Sequence, residues 1–158
     1  LTEHLAGKKE VINYDGECYV HATFTGAKIR SWRERTLVQG IDLKVLSHPE
    51  CDADVLAESD VIGSSEKLMN EALKLSQEGK PDIMLITECG TADRVRAESE
   101  NEINLIGTCV MCKYMKMTQL EDILQSLRAP RPEQIIELDS EVIQRAQYSL
   151  NEMFRLAE

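Results

Sequence analysis

Short runs of apolar and β-branched residues alternate along this chain with longer stretches in which apolar positions recur every three to four residues. That alternation is the pattern of strands interleaved with amphipathic helices. Strands are predicted over residues 11–14, 43–46, 83–86 and 103–106. Helices are predicted over 26–38 with Thr25 as N-cap, over 54–58, over 66–76 after Ser64 and Ser65, and over 92–97. The connections are short, so the expectation is an α/β fold built on a mostly parallel sheet. Past Cys112 the pattern changes. Thr118 can cap a helix over 119–127, Pro130 and Pro132 break the chain, a short strand is predicted over 135–138, and Asp139 caps a last helix over 140–156. Residues 107–117 form the one expected internal boundary, with no long linker, low-complexity tract or fixed-period repeat around it.

The chain has 158 residues, 42% of them hydrophobic, enough for a substantial core in one domain or in part of a larger one. Eighteen Lys and Arg against 28 Asp and Glu give a net charge of −10 with no basic cluster, which argues against a nucleic-acid partner. The acidic excess reads as solvated helix surface. No apolar run approaches the roughly 20 residues that span a bilayer, and the first residues have no signal-peptide core, so no membrane partner is expected. Five cysteines, an odd number, favour thiols or metal ligands over a disulfide framework and point to a reducing, cytoplasmic setting. The chain opens on Leu rather than Met, and the expectation is a processed or truncated N-terminus and a fragment of something larger.

In α/β sheets reactive groups collect in the loops after strand ends, and several polar clusters occupy such positions. They are Gly16-Glu17-Cys18-Tyr19-Val20-His21, Ser47-His48-Pro49-Glu50-Cys51, Gly63-Ser64-Ser65 and Thr87-Glu88-Cys89-Gly90, with Cys109-Val110-Met111-Cys112 closing the α/β region. Cys18 with His21, and Cys109 with Cys112, are each spaced to place two ligands on one metal. Spacing alone allows a Cys3His zinc site, an iron–sulfur site, or inert buried thiols. Cys51 and Cys89 lack a partner at ligand spacing and read as structural. In His48-Pro49-Glu50 an imidazole and a carboxylate share one stiff turn and can bind an anion and move a proton, although an ordinary loop would look the same. Gly63-Ser64-Ser65 enters a helix, which makes it either an anion site or a plain N-cap. Met111, Met115 and Met117 read as core packing.

Taken in order, GxCxVHxxF, HPEC, the D-x-x-G-S-S turn, the T-E-C strand end and CxxCxYMKMxxLEDIL over residues 8–158 resemble the C-terminal half of the quinolinate synthase family, the A-type enzymes of NAD biosynthesis. That resemblance implies three-layer αβα domains arranged with pseudo-threefold symmetry around a [4Fe–4S] cluster held by one cysteine from each of three domains. It makes Cys18 and Cys112 two of the cluster ligands and leaves the third outside this chain. Residues 1–17 would close the central domain, 18–108 would form the third, and 109–158 would be the cluster-cysteine segment and C-terminal helices, with the N-terminal domain absent. His21, His48, Glu50, Ser64 and Ser65 would line the substrate pocket, with Glu50, His21 and His48 in the chemistry. Cys109 matches a position where an additional, non-ligating cysteine occurs. The sequence departs from the family's usual G-S-T at Ser65 and carries Lys113 where Pro is common. The implied reaction joins iminoaspartate to dihydroxyacetone phosphate, with L-aspartate oxidase as functional partner. The rival from another class is a non-catalytic module holding zinc on Cys18, His21, Cys109 and Cys112.

Overall fold

The computed structural model of the chain describes residues 7, 10, 12, 16–79, 82–107 and 109–157. The chain divides into two compact units, Leu1–Cys112 and Lys113–Glu158. In the first, the elements run α1 (Tyr19–Ala22), α2 (Gly26–Val38), β1 (Lys44–Ser47), α3 (Ala53–Leu56), β2 (Val61–Ile62), α4 (Ser65–Gln77), β3 (Asp82–Ile86), α5 (Cys89–Glu98) and β4 (Asn104–Leu105). The sheet order is β2-β1-β3-β4 and every pairing is parallel. Lys44 lies beside Ile83 and Ser47 beside Ile86, so β1 and β3 end level. The expected α/β fold with a parallel sheet is therefore the one observed.

Both faces of this sheet are covered, because successive strand residues point to opposite sides. Val45, Met84 and Ile86 face a core completed by Val20, Phe24, Ile29 and Val55, which come from α1, the turn after it, α2 and α3. Leu46, Ile83 and Leu85 face a second core completed by Leu68, Met69, Ala72, Leu75 and Val95 from α4 and α5. Val45, Leu46 and Ile83 are fully buried, and each such side chain contributes about 1.5–3 kcal/mol of transfer free energy. Helix starts follow the local chemistry. Thr25 caps α2 by accepting from Lys28 N and Ser64 caps α4 by accepting from Lys67 N, as predicted. Asp60 ties β1 in place, its Oδ2 accepting from Val45 N at 2.7 Å and from Arg33 Nη2 at 2.7 Å.

Several boundaries differ from expectation. Only Ile12 of the strand expected over 11–14 is among the described residues. The two-residue β2 was not predicted, because Val61 and Ile62 are too few to show a period. The helix expected over 92–97 starts earlier, at Cys89, because the Glu88 carboxylate caps it by accepting from Gly90 N at 2.7 Å. Met111, Met115 and Met117 are exposed rather than core; they sit between β4 and the next helix, outside any helix or strand.

The second unit holds α6 (Leu120–Arg128), a 3₁₀ turn (Pro132–Gln134) and α7 (Ser140–Ala157). Its first helix has Gln119 rather than Thr118 as N-cap, and the Asp122 carboxylate reaches back to accept from Gln119 N at 3.0 Å. Asp139 begins α7 as predicted, accepting from Glu141 N at 2.8 Å. The strand expected over 135–138 does not form. An apolar run becomes a strand only with a ladder partner, and no strand lies in this unit among the described residues.

Candidate active site

The parallel sheet gathers the polar clusters at one edge. His48-Pro49-Glu50 leaves the C-terminal end of β1, Gly63-Ser64-Ser65 that of β2 and Thr87-Glu88 that of β3. Two backbone hydrogen bonds set their heights, from His48 N to Ile86 O at 3.1 Å and from Gly63 N to Ser47 O at 3.1 Å. The remaining members, Cys18 and His21, come from α1. Cys18 is its N-cap and His21 is buried within its single turn, so their spacing places both on the sheet side.

His21 is the centre of the cluster. Its Nδ1 lies 2.9 Å from Glu50 Oε2 and its Nε2 lies 3.3 Å from Thr87 Oγ1. Its ring stacks on His48 with centroids 4.3 Å apart and planes 3° from parallel. Cys18, His21 and Glu50 each bring a ligand atom within 4.8 Å of the other two. Glu50 is the exposed member, with its side chain 58% accessible. No hydrogen bond within the described residues reaches its other oxygen, Oε1.

Electrostatics separate the two imidazoles. His48 is held below the usual histidine value, first by burial and then by the neighbouring His21, with Glu50 opposing both. The backbone agrees, since Glu50 N donates to His48 Nδ1 at 3.3 Å and so requires that nitrogen to carry a lone pair. The 3.9 Å approach of His48 Nδ1 to Glu50 Oε2 is therefore not an ion pair. Neutral His48 keeps its proton on Nε2, as a donor.

The remaining predicted residues are distributed as follows. Ser64 Oγ caps α4 and Ser65 is its first residue, both exposed at the β2 end of the same edge. Cys112 is half-buried against the same core as Cys18, and the neighbours of the two cysteines meet where Tyr19 Oη donates to Met111 O at 3.2 Å. The Cys112 amide also reaches the buried Glu88, donating to Oε1 at 3.5 Å. The zinc set suggested by spacing does not come together: the mutual group is Cys18, His21 and Glu50, Cys109 is exposed outside it, and Cys89 Sγ donates to Glu88 Oε1 at 3.7 Å. Cys51 and Cys89 fit their structural reading. Burial raises the Cys51 thiol to about 11, and the neighbouring Cys109 thiol together with burial does the same for Cys89.

Thr87 and Glu88 are the residues that the sequence reading left without a role. Both stood within a flagged cluster, but their partners are distant in sequence. His21 is 66 positions from Thr87 and Cys112 is 24 from Glu88.

Residues 1–155 match the family described as Quinolinate synthetase A protein. The chain is 34% identical over 146 residues to Quinolinate synthase 1 of Mesorhizobium japonicum, covering 92% of this chain and 42% of that protein. It is 34% identical over 147 residues to a quinolinate synthase of Caulobacter vibrioides, covering 93% and 37%. With the quinolinate synthase of Xylella fastidiosa it shares 30% identity over 158 residues, covering 99% and 44%. The chain thus spans about two fifths of the length of the curated relatives it matches. The family match takes in both units and every residue gathered at the sheet edge, and by it the chain belongs to the quinolinate synthetase A protein family.

Proposed function

We propose that the full-length protein containing this chain is a quinolinate synthase, which condenses iminoaspartate with dihydroxyacetone phosphate to quinolinate with loss of phosphate and water. The observation that carries the reading is the meeting of Cys18, His21 and Glu50 at the edge where the strands end. Residues 1–17 then close a central domain, 18–108 form the third of three pseudo-threefold-related domains, and 109–158 carry the last cluster cysteine and the C-terminal helices. No described helix is long and apolar enough to cross a membrane, and the reading places the enzyme in the cytoplasm. Iminoaspartate hydrolyses in water, so an L-aspartate oxidase that makes it is the functional partner.

The donor set suits an iron–sulfur cluster: Cys18 and Cys112 are half-buried thiols on one core, and thiolates are what such a cluster takes. In this reading they hold a [4Fe–4S] cluster whose third cysteine lies outside this chain. When bound, the cluster supplies a Lewis-acidic iron that polarises a substrate heteroatom. The chain's own residues do the rest. Glu50, exposed and with Oε1 open, takes the proton removed in dehydration and ring closure. His21 Nδ1–H donates to Glu50 Oε2 and fixes its direction. His48 offers Nε2–H to a substrate oxygen. Ser64 and Ser65, with the first free N–H groups of α4, bind phosphate or carboxylate.

The test is Glu50→Gln in the full-length enzyme. Gln is nearly isosteric and keeps hydrogen bonds but takes up no proton, so turnover should fall by roughly 10²- to 10⁴-fold at unchanged iron content. A raised KM with kcat retained would make Glu50 an anchor instead. An unchanged kcat at full iron occupancy would remove it from the mechanism.

A further inference from the structure

Cys112 is carried on an irregular segment. β4 ends at Leu105, Gly107 turns the chain with φ at 117°, and beyond it Val110 makes only a single parallel bridge, to Glu88. Backbone without a ladder of its own stays in place only where its polar groups find partners elsewhere. Three consecutive residues do so. Cys89 N donates to Val110 O at 3.1 Å, Tyr19 Oη to Met111 O at 3.2 Å, and Cys112 N to Glu88 Oε1 at 3.5 Å. The start of α5 thus holds Val110 and Cys112, and between them α1 holds Met111.

The Tyr19 bond spans 92 positions and joins the residue after one thiol, Cys18, to the residue before another, Cys112. Its α1 end is fixed, since Ala22 N donates to Cys18 O at 3.0 Å and Thr23 Oγ1 to Tyr19 O at 2.7 Å. Cys18 is the N-cap of α1 with no side-chain capping bond, so capping does not engage its thiol. We infer that Tyr19 is a positioning residue for the two cysteines: its hydroxyl clasps the Cys112 segment to α1 and sets Cys112 beside Cys18 before any metal is bound. This inference rests on the reading of Cys18 and Cys112 as cluster ligands. A carbonyl oxygen only accepts, so the hydroxyl is the donor, and phenylalanine would keep the ring and lose this bond. The Tyr19 ring is 39% exposed, outside both cores, which leaves the packing undisturbed by that change. Ligands placed in advance lose less freedom on binding, and a thiolate that lets go stays within reach and rebinds. The clasp therefore acts chiefly on release of the metal.

The experiment compares Tyr19→Phe, Tyr148→Phe and Cys112→Ser in the full-length protein. Tyr148 is an exposed tyrosine of α7 and serves as control. Each variant is reconstituted anaerobically, iron and sulfide are counted, and iron release to excess chelator is timed; thermal unfolding and backbone amide exchange are measured on the metal-free form. Tyr19→Phe should take up the parent's iron and sulfide but release iron about 3- to 10-fold faster, the scale on which one hydrogen bond acts. Exchange over residues 110–112 should quicken with Tm unchanged, and Tyr148→Phe should match the parent. Release at the parent rate, or faster release shared by Tyr148→Phe or matched by a lower Tm, overturns the inference. If Cys112→Ser keeps its iron and sulfide, the ligand reading fails and the clasp falls with it. If Cys112→Ser loses them while Tyr19→Phe releases iron at the parent rate, the clasp alone fails.

Discussion

Cys51 and Cys89 are buried, with thiols pushed up to about 11, whereas Cys109 is exposed. At pH 8 only about one in a thousand of a thiol of that kind is thiolate, the reactive form. Iodoacetamide at pH 8 should therefore label Cys109 while Cys51 and Cys89 stay unmodified, as read by peptide mass spectrometry; labelling of Cys51 ahead of Cys109 would contradict the burial described. The same residues show what sequence discloses at this scale. His48-Pro49-Glu50 could be singled out because an imidazole and a carboxylate share one stiff turn just past an apolar run, although the three residues alone also suit an ordinary loop. Thr87 was not, because a Thr at the end of an apolar run looks like any strand end until the fold brings His21 to it. The methionines were misread for a related reason. Side-chain type predicts burial only where a layer exists to bury it, and Met111, Met115 and Met117 lie beyond the last strand.

The longest elements were read with the closest bounds. The helix predicted over 26–38 matches α2 in both bounds, since a capping Thr and a long polar–apolar alternation define it. The strand predicted over 83–86 falls within β3, whose residues are apolar because both faces of the sheet are covered. The short β1, α3 and β4 were expected to within a residue or two, whereas β2, α1 and the failed strand over 135–138 were settled by pairing and packing. One close approach between elements gives a direct test. Gly26, the first residue of α2, lies against the Asp54 backbone in α3, its N donating to Asp54 Oδ2 at 2.8 Å, and an added methyl group would collide with the Asp54 carbonyl. Gly26→Ala should lower stability by about 1–3 kcal/mol, the usual cost of overpacking. Thermal unfolding reads this out, and an unchanged Tm would show that α2 and α3 pack less closely than described.

At the scale of the molecule, a sheet covered on both faces leaves its strand ends as the place where polar side chains converge without disturbing either core. Cys18, His21, His48 and Glu50 converge there, and Cys112 ends the same unit against the same core as Cys18. The chain spans about two fifths of its relatives, so the account is decided in the full-length protein. The deciding measurement is iron, acid-labile sulfide and zinc on anaerobically prepared protein, with quinolinate formation from iminoaspartate and dihydroxyacetone phosphate assayed on the same sample. Iron with sulfide and quinolinate production are expected, with both lost in Cys18→Ser and in Cys112→Ser and iron content retained in Cys51→Ser and Cys89→Ser. One zinc without sulfide and no quinolinate, or equal loss of iron in Cys51→Ser, would contradict the account.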